Sequence, residues 1–273
     1  MKNIVLLSIL IGFSVYFSSC SKDGSVNLFS VQDDIAFGAQ LDSTIVNTPS
    51  EYPLLSRKGN EEVYNYVEGI MNTILVSDNI NYKDEFVWQV RIINQDVLNA
   101  FAAPGGYIYF YTGFLKYAES EAELAGVMAH EIAHVDHRHS TNRLTKLYGF
   151  QMLFSILLGK NPSQLAQITA QLAMGGTSLA FSRKDEYEAD ASSVEYITDI
   201  QNIRNYDPTA IVDFFDRMQD DSLSQADGSF EFLRTHPYDA NRKENIFDIW
   251  KELGSPTGEK FMSEHEYIIS RLP

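Results

Sequence analysis

The stretch His130-Glu131-Ile132-Ala133-His134 restricts the possible folds of this chain more than any other segment. Val127, Met128, Ile132, Ala133 and Val135 surround it with apolar side chains, so the helix that carries it must be buried. Residues four apart on a helix share a face, and both imidazoles can therefore reach one ion. Glu131 lies one step round the helix, placed to address a water beside that ion rather than the ion itself. Buried imidazoles and carboxylates cost free energy unless they are paired or bind metal. Two helix histidines satisfied by ordinary hydrogen bonds would leave the intervening carboxylate without a reason. The chain must therefore close a core around a polar helix, and its 273 residues with 44% hydrophobic content are enough to do so.

A catalytic zinc takes three protein ligands and keeps a position for water. In the metzincin pattern the third ligand is a histidine six residues after His134, but Ser140 stands there, His139 is out of register, and His137 replaces the expected glycine. The candidate further on is Glu186, within Ser182-Arg183-Lys184-Asp185-Glu186-Tyr187-Glu188-Ala189-Asp190. Glu186 and Asp190 are four apart on an expected helix and share a face, so one can bind a metal while the other orients a ligand histidine. An acidic helix start also suits the helix dipole without any metal.

The rest of the chain reads as a helix-rich domain with a small sheet. Helical spacing covers 33–46, 61–76, 120 to about 139, 143–158, 164–181, 185–200, 208–220 and 239–253, with strands expected over 86–93 and 107–112. Residues 99–106 read as a turn, and Ser120 with Glu123 as a capping box. No repeat of solenoid period is present. At the N-terminus, Lys2, the apolar run Ile4 to Phe17 and Ser18-Ser19-Cys20 have the anatomy of a secretory signal over 1–19. Cys20 is the sole cysteine and sits where a bacterial lipoprotein carries its lipid, with Phe17 where leucine is commoner; residues 20–30 would then be a lipidated tether and 31–273 a single domain. No later apolar run approaches the ~20 residues that span a bilayer. The net charge of −16 argues against nucleic acid, which requires Lys and Arg to neutralise phosphates.

Four motifs, in order, resemble the HtpX and CAAX prenyl-protease type of gluzincin metallopeptidase. They are HEIAH at 130–134, EYEAD at 186–190, NAFAAPGGYIYFYTGFL at 99–115, and Thr235-His236-Pro237 with Arg242 six residues past the histidine. The likeness runs from about Gln32 to Ile246. It implies an α+β, mostly helical, zincin-like fold whose sheet lines the cleft. It further implies one zinc per chain held by His130, His134 and Glu186, with Glu131 as general base and acid and Asp190 as a partner behind the ligands. Gly106, Tyr107, Ile108 and Tyr109 would pair with an extended substrate by strand addition. His236 and Arg242 would steady the oxyanion, or His236 would cap the zinc in a closed resting state. His137, His139 and His265 read as structural or exposed.

The expected activity is hydrolysis of peptide bonds in unfolded or extended envelope proteins by a lipid-anchored bacterial enzyme, with no membrane contact beyond the anchor. The competing readings are a latent or chaperone-like assembly factor that keeps the fold, and a zinc hydrolase for non-peptide esters or amides. Glu131 favours the first, because a pure binder has no need of it.

Overall fold

The structure is a computed structural model that describes residues 28–224 and 231–273, with side chains of 222–224 left aside; the signal and Cys20 expectations lie outside these residues. Twelve helices and one small sheet are present among the described residues. The chain opens with α1 (Val31–Val46) and α2 (Glu61–Ile74), followed by β1 (Gln89–Ile93), β2 (Ala100–Ala103) and β3 (Tyr107–Tyr111). After α3 (Thr112–Tyr117) come α4 (Glu121–Asp136), α5 (His139–Tyr148), α6 (Phe150–Leu157) and α7 (Pro162–Ala173). The last elements are α8 (Arg183–Asp199), α9 (Ala210–Ser224), α10 (Glu231–Thr235), α11 (Ala240–Glu252) and α12 (Met262–Ile269). No helix among the described residues is long and apolar enough to cross a membrane.

The centre is α4, every residue of which is buried. Its start is set by Ser120, whose hydroxyl accepts from Glu123 N. The capping box is only half formed, because the Glu123 carboxylate accepts from Glu119 N instead. α4 packs against α8 and α9, and α8 packs in turn against α11. The approach of α9 depends on Gly126: a Cβ there would stand 2.9 Å from Ile211 Cβ. The expected 143–158 helix is two, α5 and α6, divided at Gly149, whose φ of +79° no side-chain-bearing residue adopts easily.

The sheet runs in the order β1-β3-β2, with β1 parallel and β2 antiparallel to β3. Gln89 pairs with Tyr107 and Ile93 with Tyr111 on one side of β3, while Ala100 pairs with Phe110 and Ala103 with Tyr107 on the other. Strand β3 is thus central, and this corrects the expectation that it pairs with substrate. The Tyr107, Ile108 and Tyr109 backbones are used within the sheet, and Gly106 O accepts from Gln89 N. The Tyr109 side chain stacks on Phe101 and donates to Asp42 of α1. The strand with an outer edge beside α4 is β2, inside the segment read as a turn. Ala100-Phe101-Ala102-Ala103 holds no turn former; Pro104-Gly105-Gly106 carries the reversal.

A buried ion pair fastens α1 to the α4–α5 corner. Arg138, in the left-handed region at φ 58°, donates from Nε to Asp34 at 2.5 Å and from Nη2 to the Phe29 and Ser30 carbonyls. Thr141 donates to the other Asp34 oxygen at 2.9 Å. Removing one partner of a buried pair strands the other's charge. Asp34→Ala is therefore expected to lower stability by ~3–5 kcal/mol in urea denaturation; a loss within experimental error would show that the pair contributes nothing.

Candidate metal centre

Three elements deliver the site. α4 presents His130, Glu131 and His134 on adjoining faces, α8 presents Glu186 and Asp190, and the turn after α10 brings in His236. α8 is fixed in register by a complete capping box, with Ser182 Oγ accepting from Asp185 N and the Asp185 carboxylate accepting from Ser182 N. Asp239 caps α11, so that Arg242 in its first turn points back into the core.

One ligand atom from each of His130, His134, Glu186 and His236 lies within 4.8 Å of every other, and all four residues are buried. His130 Nε2 stands 3.0 Å from His134 Nε2 and 3.5 Å from Glu186 Oε2, and His134 Nε2 stands 3.5 Å from Glu186 Oε1. His236 Nδ1 is 3.4 Å from His130 Nε2 and 3.1 Å from Glu186 Oε1. A tetrahedron with zinc–nitrogen arms of 2.0–2.1 Å has edges of roughly 3.3 Å, so these separations suit zinc. The donor set of imidazole nitrogens and one carboxylate is also the type zinc takes.

The electrostatics favour a cation. Burial pulls the His130 imidazole down, but Asp190 and Glu186 outweigh it and push it up to about 9. Burial holds His134 well below the usual range, with the Glu186 hydrogen bond opposing and the His130 charge adding to the effect. The field that favours a proton on His130 favours a divalent ion beside it. Burial raises Glu131, with His236 and His130 opposing. Glu186 is held well below the carboxylate range although burial opposes this, because Arg242 and His236 lie against it. Both carboxylate oxygens of Glu131 are buried without a hydrogen-bond partner. Orphaned buried carboxylate oxygens are rare and call for a functional explanation.

Behind the ligands, His130 Nδ1 faces Asp190 Oδ1 at 3.0 Å. Arg242 donates from Nε and Nη2 to Asp190 at 2.8 and 2.6 Å, and its Nη1 lies 2.6 Å from Glu186 Oε2. This corrects the expectation for Arg242. Its buried guanidinium faces two carboxylates and the Pro237 carbonyl and stacks over Phe215, so in this structure it positions Glu186 and Asp190. His236, for which both an oxyanion role and a capping role are expected, stands at the fourth corner of this cluster.

Several site residues escaped the sequence reading. His139, expected to be structural or exposed, is buried with Nδ1 2.9 Å from His134 Nδ1, and its Nε2 reaches Glu188 Oε2 at 3.3 Å. A carboxylate–histidine chain thereby orients the second ligand. Phe181 stacks on His134 with ring centres 3.8 Å apart, and Phe232 on His236 at 4.4 Å. Arg143 sits over the other face of Phe181. Only the clustering of His137 and His139 just past the motif hinted at any of this. His137 stays at the margin, bonded to Ser192, and His265 is structural, bonded to Tyr66 and the Ala118 carbonyl.

Residues 61–249 match the model of peptidase family M48. Among curated proteins, the chain is 31% identical over 190 residues to the beta-barrel assembly-enhancing protease of Yersinia pestis, covering 66% of this chain and 37% of that one. The Escherichia coli K12 protein of the same name is 31% identical over 160 residues, 55% of this chain and 32% of the other. The mitochondrial metalloendopeptidase OMA1 of Arabidopsis thaliana is 31% identical over 150 residues, 55% and 29% respectively. The chain thus spans about a third of the length of these relatives. With the family model matching more than half of its residues, the chain belongs to peptidase family M48.

Proposed function

We propose that this protein is a zinc-dependent endopeptidase that cleaves extended segments of cell-envelope proteins, using one metal ion held by His130, His134 and Glu186. The observation that carries this is Glu131: a buried carboxylate with neither oxygen hydrogen-bonded, next to the convergent imidazoles. Zinc in such a site supplies Lewis acidity and brings the pKa of water to ~7, within reach of a carboxylate base. Glu131 accepts the proton of the attacking water and returns it to the leaving amine. Its buried, raised carboxyl is matched to that double duty, since a base of ordinary carboxylate strength would hold the proton too weakly. Asp190 keeps His130 in the tautomer whose Nε2 lone pair faces the site. The outer edge of β2 beside α4 is covered in this structure, where Ser140 donates to the Ala102 carbonyl and α7 packs on the strand, so a substrate bound through its backbone would pair there only once that cover moves. The names of the bacterial relatives, beta-barrel assembly-enhancing proteases, support an envelope setting, and a signal with lipidation at Cys20 fits it.

A second reading rests on His236. With its Nδ1 at the fourth corner and its Nε2 3.4 Å from Glu131 Oε1, the place of both water and base is taken. This is a closed, latent state, and the chaperone-like alternative corresponds to a protein that stays in it.

Two variants separate these readings. Glu131→Gln is expected to keep its zinc but lose casein cleavage by two to four orders of magnitude, the usual contribution of a positioned general base; undiminished cleavage would remove Glu131 from the chemistry. His236→Ala is expected to cleave casein faster than the wild type, because the cap is gone. A fall in rate instead would return His236 to the oxyanion role.

A further inference from the structure

Of the 37 acidic residues in the chain, none falls between His137 and Lys184, a stretch that contains six Arg and Lys. In the fold this stretch runs through α5–α7 to the start of α8; Arg138 is buried against Asp34 and Arg143 lies over Phe181, which leaves Lys146 and Lys160 as its exposed cations beside α6. The same stretch carries five exposed large apolar side chains: Leu147 at 47%, Met152 at 37%, Phe154 at 43%, Leu158 at 54% and Met174 at 67%. On α6, Leu153 and Ile156 turn inward, and the helix packs against α1, α5 and α7; Gln40 of α1 also donates to the Leu157 carbonyl. Those inward contacts hold α6 in place; Phe154 stacks on Phe150 at 5.6 Å yet stays 43% exposed, and Met152 and Leu158 are exposed as well. Clustered exposed apolar side chains of this kind mark an interaction surface.

Its surroundings indicate the partner. Lys146 and Lys160 are exposed on either side of α6. A groove of about 550 Å³ opens between Tyr148, Phe150, Met152, Ser155 and Asn161. The N-terminal part of the chain joins the domain beside this face, where the Phe29 ring meets Phe150 edge-on at 5.1 Å and Leu28 is half exposed.

We propose that this face docks in the interfacial layer of an anionic lipid bilayer. Phe154 and Leu158, four apart on the outward face of α6, enter the acyl boundary, and Lys146 and Lys160 meet the headgroup charge. Buried apolar area and attraction to anionic lipid together set the strength of such in-plane docking. The chain as a whole, with its net charge of −16, is repelled by the same surface, so the face free of acidic residues is the one admitted. The membrane contact then goes beyond a lipid anchor, and it holds the catalytic domain at a fixed attitude to the bilayer. This inference does not depend on the peptidase reading.

The test uses the full chain in a Cys20→Ser background, with a polarity-sensitive fluorophore on Phe154→Cys and, as a control on α11, on Glu244→Cys. Vesicles contain phosphatidylglycerol with brominated acyl chains, or brominated phosphatidylcholine alone. The Phe154→Cys label is expected to shift to the blue and lose emission in the anionic vesicles, and to change less in the neutral ones, with the Glu244→Cys label unmoved. Unquenched emission at Phe154→Cys in anionic vesicles would overturn the proposal, as would equal quenching in both lipids. A blue-shifted label before lipid is added would also overturn it, since a second copy or the chain itself would then cover the face.

Discussion

Glu131, Glu186 and Asp190 are each no more than 1% exposed, and three carboxylates confined between α4 and α8 cannot stay charged without positive charge close by. The penalty for an uncompensated buried ion is several kcal/mol. Arg242 answers part of it by bridging Glu186 and Asp190. What remains faces the ring nitrogens of His130, His134 and His236, whose mutual separations of 3.0 and 3.4 Å leave room for one cation. The metal centre is thus built from a charge imbalance as much as from a ligand list.

The scaffold serves that imbalance. α4 is buried on all sides, and it tolerates this because Gly126 admits α9 closely and α8 covers the ligand face. Aromatic rings pack onto the site: Phe181 lies against His134, Phe232 against His236, and the Phe181 amide is tied to the Thr235 carbonyl. These rings keep water from the site and fix the imidazole planes, which strengthens each electrostatic contact inside. The His236 ring is held in the same way, by Phe232 on one side and Glu186 on another, which is what the proposed capped state would require.

Much of the site was legible because its chemistry is written in helical spacing. His130 and His134 four apart, and Glu186 and Asp190 four apart, declare shared faces, and the structure places those faces opposite each other. What spacing could not show is how a side chain divides its bonds once buried. The motif pattern points Arg242 at the oxyanion, but the structure turns it onto the Asp190 and Glu186 carboxylates. The strand beside the site lies one earlier than expected: Tyr107 to Tyr111, rich in aromatics, is the central strand, while Ala100-Phe101-Ala102-Ala103 forms the edge. Sheet order is a long-range property that composition alone does not carry. His139 escaped because it lies beyond the end of α4, where helical periodicity no longer applies.

Metal content by mass spectrometry, on the wild type and Glu186→Ala purified in parallel, bears most directly on the metal centre. One zinc per chain in the wild type, lost or sharply reduced in Glu186→Ala with the helical content intact, is the result expected. A wild-type protein that carries no zinc and cannot be reloaded, or a variant that binds it undiminished, would contradict the assignment of His130, His134 and Glu186 as the ligand set.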